Sequence, residues 1–410
     1  MDWLAAFAQA HGLHLSVVGG AVRDRFLGKS TPDKDLDLVV EGEGTWPAIQ
    51  LLELIENQEL PEGFQLKQSQ SFEAFGTAQL HLQTPEGRLL CDLSSARSER
   101  YAFPGAHPEV QPTDLAGDLK RRDFSINAIA EQLPVGSSPL IDPYAGKADL
   151  EAGKLKLLHP LSFQDDPSRL LRGVRYGARL GLQLAPDSAA QVQSTLAAWP
   201  WPHDAPALAS RSRMELELLF SENSWTTALR LLETWSALEL IHRGWKALPD
   251  RSELWLERLG QWGHSIDPNW SPGELRLVGL LWLCPMQDNV LAVAERLQLT
   301  HRQQRLLNRS LELTTWLRSL SSESTCCWKA SDWTFALEEH AAKAEPLTAL
   351  MLLGPRHQNH TRPLLRWLMR WRLIQSPVSA KELMNQGISA GPVLGTRLKE
   401  LRAEAINQHA

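Results

Sequence analysis

Residues 17–40 read VVGGAVRDRFLGKSTPDKDLDLVV, and their pattern decides the fold. His14–Val18 reads as a strand, stopped by Gly19-Gly20. A helix over Ala21–Leu27 is expected to open directly on that glycine pair. Glycines before a helix N-terminus let backbone N–H groups approach a phosphate. Asp35–Val40, DLDLVV, begins with period-2 alternation and reads as a second strand. Residues i and i+2 of a strand share a face, so Asp35 and Asp37 project together. Two carboxylates so close repel, and a divalent cation such as magnesium, which favours oxygen ligands, relieves the repulsion. Arg23 can add a two-pronged contact to a phosphate or sugar. An isolated Asp-x-Asp also fits a solvated strand face; the order of glycine pair, arginine and Asp-x-Asp makes the segment informative.

Outward from this stretch, residues 3–11 read as a short helix and Trp46–Asn57 as a longer one, with apolar Trp46, Ile49, Leu52 and Ile55. Phe75–Leu82 and Arg88–Leu93 read as strands joined by the turn Thr84-Pro85-Glu86-Gly87. Phe124–Glu131 reads as another short strand, and residues 98–118, with their Pro and Gly, as a loop. Residues 1–145 are therefore mixed α and β. Beyond Asp149 the strand signals fade. Helical spacing recurs at Pro167–Leu180, Ser188–Ala197, Arg211–Phe220, Trp225–Leu240, Glu274–Cys284, Asp288–Leu297, Arg302–Leu320, Leu347–Leu353 and Pro363–Ile374. The fold class expected is α+β, a mixed-sheet head followed by an all-α remainder.

Further segments carry chemistry. Cys91-Asp92-Leu93 sets a carboxylate on the strand after the Gly87 turn, where a solvated strand-end acid is the plain alternative. Lys120-Arg121-Arg122 would be an ordinary solvated run were it not followed by Asp123-Phe124-Ser125-Ile126-Asn127-Ala128. Asp and Asn can pair with a ribose 2′-hydroxyl. Pro143 and Gly146 mark a turn before a helix capped near Asp149. In Asp165-Asp166-Pro167-Ser168-Arg169, Asp166 suits an N-cap and Pro167 a first turn. Arg169, Arg172 and Arg175 recur every three residues and form a slanting stripe. Near the C-terminus, Arg356, Arg362, Arg366, Arg370 and Arg372 interleave with Trp367 and Trp371 and no acid. This suits an RNA backbone, and equally tryptophans in a core with solvated arginines.

The 410-residue chain has a net charge of −6, which argues against a histone-like basic binder without excluding a basic groove. The charge is unevenly divided. Residues 1–160 hold 23 acids and 14 bases, and residues 161–410 hold 25 and 28, so a boundary near 160 is expected. Only Trp3 and Trp46 of the 16 tryptophans precede residue 199, which points the same way. Cys91, Cys284, Cys326 and Cys327 lack metal-ligand spacing and read as free thiols in a reducing compartment. MDWLAAFAQAHG lacks a basic n-region, and no run of about 18 apolar residues occurs, so a cytoplasmic protein is expected.

These motifs resemble the tRNA nucleotidyltransferase / poly(A) polymerase family, bacterial type, within the polymerase-β-like nucleotidyltransferase superfamily. Residues 17–40 are similar to its opening, and 120–128 to its RRDFTINA motif, with Ser125 for Thr. Asp165-Asp166-x-x-Arg169 is similar to its Glu-Asp-x-x-Arg, with Asp165 for Glu. Ser210-Arg211-Ser-Arg213-Met-Glu215 is similar to an Arg…Glu motif, with Ser210 for Glu, from which a structural salt bridge is expected. Gly387…Gly395 is similar to a C-terminal Gly-x-x-Pro-Gly-Pro-x-x-Gly element, with Ala390 for the first Pro. The likeness is dense over 17–220, patchy at 381–402 and weak between.

The resemblance implies a nucleotidyltransferase head at 1–145, a base-recognising helical neck at 146–225, a helical body at 226–345 and a tRNA-binding helical tail at 346–410. Asp35 and Asp37 would bind catalytic magnesium, with Asp92 a further ligand or a base for the primer 3′-hydroxyl. Gly20, Arg23 and Arg122 would hold the triphosphate, and Asp123 and Asn127 the ribose. Segment 141–150 would be a hinge between head and neck, although a plain turn reads equally well. Cytosine and adenine each offer an exocyclic amine beside a bare ring nitrogen. An Asp166/Arg169 pair can accept from the one and donate to the other, which uracil and guanine cannot satisfy. Arg172 and Arg175 would lie near triphosphate or primer. Arg362, Arg366, Arg370, Gly391 and Gly395 would contact RNA. The function implied is template-independent addition of the tRNA 3′-terminal CCA from CTP and ATP. CC-only, A-only and poly(A)-adding enzymes share these motifs, and a silent tRNA-binding protein is the non-enzymatic rival. The length of the Ser98–Pro112 loop favours A addition, because CC-only members shorten it. No HD-type metal motif is visible, so no phosphohydrolase activity is expected.

Overall fold

The computed structural model describes residues 1–28, 36–136, 140–198, 206–285, 290–355 and 360–409. The chain divides into two compact units, Met1–Arg211 with Thr234–Leu240, and Ser212–Glu233 with Ile241–Ala410.

The first unit begins with α1 (Asp2–Ala10), β1 (His14–Val18), α2 (Gly20–Phe26), β2 (Leu36–Glu41) and α3 (Pro47–Glu56). There follow β3 (Gln65–Phe72), β4 (Thr77–Thr84), β5 (Gly87–Ser95), β6 (Arg97–Arg100), β7 (Glu109–Pro112) and α4 (Leu115–Lys120). It continues with β8 (Ala130–Gln132), α5 (Gly146–Glu151), β9 (Lys154–Leu155), α6 (Ser162–Asp165), α7 (Ser168–Leu180), β10 (Gln183–Leu184) and α8 (Pro186–Ala197). Its main sheet has the order β3-β4-β5-β2-β1-β8. Only the central β2–β5 pair is parallel. The core forms where alternate residues turn inward: Val17, Leu38, Val40, Ala78, Leu80, Leu82, Cys91 and Leu93 pack with Leu51, Leu52 and Ile55 of α3.

Three expectations need correction here. Phe124–Glu131 is not one strand. Ser125–Asn127 form a 3-10 turn, and pairing resumes only at Ala130–Gln132. The turn lets Asp123 and Asn127 share a hydrogen bond, which a strand, at about 13 Å over four residues, would not permit. Residues 98–118 are not a plain loop. β6 and β7 form an antiparallel ribbon, and α4 follows, capped by Asp114 accepting from Gly117 N. The helix after Pro143 starts at Gly146, not near Asp149. Asp142 accepts from the backbone N–H groups of Gly146 and Lys147, while Asp149 lies inside α5 and accepts from Ser125 Oγ at 2.7 Å. Strand β3 is an addition: its side chains are almost all outside the core, so it carries no apolar alternation.

The second unit is helical. It contains the greater part of α9 (Pro206–Ser221), then α10 (Trp225–Thr234), α11 (Ser252–Ile266), α12 (Pro272–Trp282), α13 (Val290–Arg296), α14 (His301–Ser319) and α15 (Ser322–Thr325). It ends with α16 (Ala330–Glu339), α17 (Pro346–Leu352), α18 (Thr361–Met369), α19 (Ala380–Asn385) and α20 (Pro392–Gln408). Capping boxes start α12, α14 and α19, where Ser271, Thr300 and Ser379 exchange hydrogen bonds with Glu274, Gln303 and Glu382. The single helix expected over Trp225–Leu240 breaks at Ser236, whose φ is +56°, and ends in a 3-10 turn. The one expected over Pro363–Ile374 ends at Met369, and Trp371–Leu373 turn tightly after it. Helices α11 and α16 are additions. Residues Asp288 and Arg356 lie outside the described residues. Among the described residues no helix is long and apolar enough to cross a membrane.

Candidate active site

Gly19 sits at φ +71° between β1 and α2, a backbone conformation that favours glycine. A Cβ there would lie 3.2 Å from the Arg122 guanidinium, so the glycine also admits that side chain. Asp37 is exposed on β2. Asp37 and Asp92 are register partners across the parallel β2–β5 pair, so both carboxylates leave the same face of the sheet. Asp92 accepts from Gln79 Nε2 at 3.0 Å. Asp35 lies outside the described residues. Among the described residues no three His, Cys, Asp or Glu side chains form a metal cluster by themselves. The donor set is nonetheless hard oxygen on one face, which fits a magnesium-type ion completed by water and phosphate.

A cavity of about 350 Å³ opens beside Asp37, and Gly19, Gly20, Arg122, Asp123, Asn127, Asp166, Arg169 and Arg172 line it. Four separate sequence motifs therefore meet in one pocket of the first unit. Buried polar contacts tie them together. Arg23 donates to Asp24 at 2.7 Å and to Asn127 Oδ1 at 2.5 Å. Asn127 donates to Asp123 Oδ1 at 3.0 Å, and Asp123 Oδ2 pairs with Arg172 at 3.4 Å. Burial alone would raise the Asp123 pKa, but Arg172, Asn127 and Arg169 outweigh it and hold the carboxyl below its usual range.

Arg23 does not line this cavity. It is 2% exposed and lies over the Tyr176 ring, so its guanidinium braces Asn127 rather than reaching a phosphate. Arg175 likewise packs on Tyr176 and stays outside the lining. Tyr176, missed in the sequence, lines the pocket at the centre of this cluster. Its place is fixed by Arg23 of α2 lying over its ring, a contact between residues far apart in the chain.

The two residues expected to read the base, Asp166 and Arg169, are 6% and 5% exposed and held from behind. Asp166 Oδ1 accepts from Ser168 N and Oγ, while Oδ2 faces Arg211 Nε at 3.2 Å. The salt bridge expected of Arg211 thus falls on Asp166 itself. Arg169 donates to Ser162 Oγ at 2.6 Å and to the Arg121 carbonyl at 3.0 Å. Asp165 turns away from the main cavity toward His159, 3.8 Å distant.

Arg121 also lines the cavity, but carboxylates hold it in place. Its guanidinium pairs with Asp118 and Glu99, each at 2.8 Å, and Arg122 pairs with Asp118 at 3.0 Å. Burial would raise the Asp118 pKa, yet Arg121 and Arg122 prevail and lower it. Glu99 also accepts from the Tyr101 hydroxyl at 2.8 Å. Burial, then the Glu99 charge, drives the Tyr101 pKa far up, so the phenol stays protonated. Glu99 and Tyr101 line the cavity from the β6–β7 side, within the segment expected to be a loop.

The Poly A polymerase head domain family matches residues 15–156. The CC-adding tRNA nucleotidyltransferase of Deinococcus radiodurans is 40% identical over 242 residues, 58% of this chain and 59% of that protein. The family match is confined to residues 15–156, which are similar to the Poly A polymerase head domain. Another nucleotidyltransferase, the A-adding enzyme of Halalkalibacterium halodurans, is 38% identical over 232 residues, 55% of this chain and 50% of that protein. The chain thus spans little more than half the length of these curated relatives. The likeness of fold extends further: a structure described as a CCA-adding enzyme, apo form II, superposes with a TM-score of 0.72 at 23% identity, covering 99% of this chain and 91% of that one.

In the second unit, Arg362, Arg366 and Arg370 on and after α18 are exposed, as are Gly391 and Gly395 at the start of α20. Trp367 and Trp371 are each 3% exposed, so they belong to the core and do not interleave with the arginines at the surface.

Proposed function

We propose that the chain is a template-independent nucleotidyltransferase that adds or repairs the tRNA 3′-terminal CCA from CTP and ATP. The observation that carries this reading is the convergence of Asp37, the Arg122–Asn127 turn and the Asp166/Arg169 pair on one cavity. In this reading the primer 3′-oxygen attacks the nucleotide α-phosphate and pyrophosphate leaves. Arg122 and Arg172 neutralise the triphosphate, and the N–H groups after Gly19 cradle it. Asp123 and Asn127 take the ribose hydroxyls. Asp166 accepts the exocyclic amine of C or A, and Arg169 donates to the neighbouring ring nitrogen. Magnesium, held by Asp37 with Asp35 and Asp92, would activate the 3′-hydroxyl and offset charge on both reacting oxygens.

The four-part division into head, neck, body and tail belongs to this proposal, as does RNA contact by Arg362, Arg366, Arg370, Gly391 and Gly395. The β6–β7 ribbon beside the cavity favours full CCA addition over CC addition alone. The test supplies tRNA lacking CCA, or ending in CC, with magnesium and CTP, ATP or both. Addition of C, C and A is expected. Asp37→Ala should lower incorporation by about 100-fold or more while the melting temperature stays unchanged, because Asp37 is exposed. Extension of tRNA already ending in CCA would support a poly(A) polymerase instead.

A further inference from the structure

We propose that Cys326 and Cys327 form a reversible thiol switch, oxidised by hydroperoxides to a disulfide between neighbouring residues and restored by dithiols. Cys91 and Cys284 are buried, whereas Cys326 and Cys327 are exposed. The two exposed sulfurs lie 3.4 Å apart, in the turn between α15 and α16. Cys326 Sγ also donates to the Glu323 carbonyl at 3.1 Å. A peroxide-sensing thiol needs solvent access and a second thiol placed to resolve its sulfenic acid. This pair meets both requirements.

The chemistry balances with the peroxide as oxidant. One sulfur attacks a peroxide oxygen, an S–O bond forms, the O–O bond breaks, and water or an alcohol leaves. The neighbouring thiol then attacks the sulfenic sulfur, an S–S bond forms, the S–O bond breaks, and water leaves. The pair loses two electrons and two protons, and the peroxide gains them. Consecutive Cα atoms are about 3.8 Å apart, below the roughly 4.4–6.8 Å of ordinary disulfides. The bond so formed is strained and readily reduced, which makes it a switch and not a staple.

Closing the sulfurs from 3.4 Å to about 2.05 Å must rework the helical turn at Cys326, whose φ and ψ are −58° and −31°. Trp328 follows at once, packed edge-on against Trp333 with centroids 4.7 Å apart. Trp333 in turn meets His360 at 5.0 Å, and His360 is the N-cap of α18. Oxidation should therefore be visible in tryptophan emission and felt at the start of the helix that carries Arg362 and Arg366.

The test treats the 410-residue chain with hydrogen peroxide and follows intact mass, thiol alkylation and tryptophan fluorescence. Loss of two hydrogens is expected, with alkylation blocked at both cysteines, a change in emission, and full reversal by dithiothreitol. Cys326→Ser and Cys327→Ser should each abolish the disulfide and leave a sulfenic acid that dimedone traps on the remaining thiol. Accumulation of oxygen on one cysteine of the unaltered protein, covalent dimers, or an unreactive pair would each overturn the proposal. None of these readouts depends on nucleotide addition, so the switch and the proposed activity fail separately.

Discussion

At the residue scale, the arginines divide into those that can meet a ligand and those that hold others in place. Arg121, Arg122, Arg169 and Arg172 line the cavity, with Arg121 and Arg122 both paired to buried Asp118, whereas Arg23 lies outside the lining and is committed to Asp24 and Asn127. Arg23, 2% exposed and bound to Asp24, could not serve a phosphate without leaving that carboxylate unpaired. Arg211 is the most informative of the supporting set, because it faces the carboxylate proposed to read the base. Arg211→Met should loosen Asp166 and lower the kcat/KM preference for CTP over UTP by about tenfold, the order of one base-edge contact at roughly 1–3 kcal/mol. Steady-state kinetics with each nucleotide, run beside a thermal melt, separates this from a loss of folding.

At the element scale, close approach of backbones limits what the turns around the site can contain. A Cβ on Gly146 would lie 2.1 Å from the Ser125 carbonyl oxygen and 2.9 Å from Ile129, so α5 can pack on the 125–127 turn only through a glycine. Gly146→Ala should cost about 1–3 kcal/mol or more, read as a lower urea midpoint of the full chain. The hydroxyl of Ser125 donates to Asp149 at 2.7 Å, a bond that a threonine hydroxyl could also make. In the second unit, α18 turns Leu364, Trp367 and Leu368 inward and leaves Arg362 and Arg366 exposed. Replacing Arg362, Arg366 and Arg370 with Ala should weaken tRNA binding. The slope of log K against log salt should become shallower by about 2, at roughly 0.7–0.9 for each phosphate no longer neutralised.

At the scale of the whole molecule, acid should destabilise the fold before its carboxylates titrate. Burial, then Arg169 and Lys120, hold the His159 pKa down to about 4 against an ordinary 6.5, despite Asp165 nearby. Between those values the unfolded chain takes a proton that the folded one refuses. The contribution of His159 is therefore complete above about 6.5 and falls as pH drops toward 4. The fall is less than the roughly 1.4 kcal/mol per unit of a fully shielded group. The imidazole is only partly buried, and Asp165 beside it, its own pKa raised by burial, works the other way. His159→Gln should flatten that slope in denaturant titrations across the interval. Below about 4 the lowered Asp118 and Asp123 add a second, steeper loss that this variant keeps.

Local chemistry made much of this protein legible in its sequence. The glycine pair, the Asp-x-Asp strand, the RRD string and the Asp-Asp-Pro helix start are short-range patterns, and α+β class with helices after residue 149 followed from periodicity. Seven of the ten tryptophans from Trp225 to Trp333 are buried, as helix-packing residues should be. What the sequence could not determine depends on partners distant along the chain. Strand β3 exists because β4 pairs with it, not through any apolar pattern of its own. Asp92 stands beside Asp37 through the register of β2 and β5. Arg121 is paired at the cavity wall because Glu99, 22 residues away, reaches it from the β6–β7 ribbon. The same reason underlies all three: residue type and spacing specify which groups are present and which local turns they favour. Only the packed chain decides which charges are spent on one another and which are left facing the cavity.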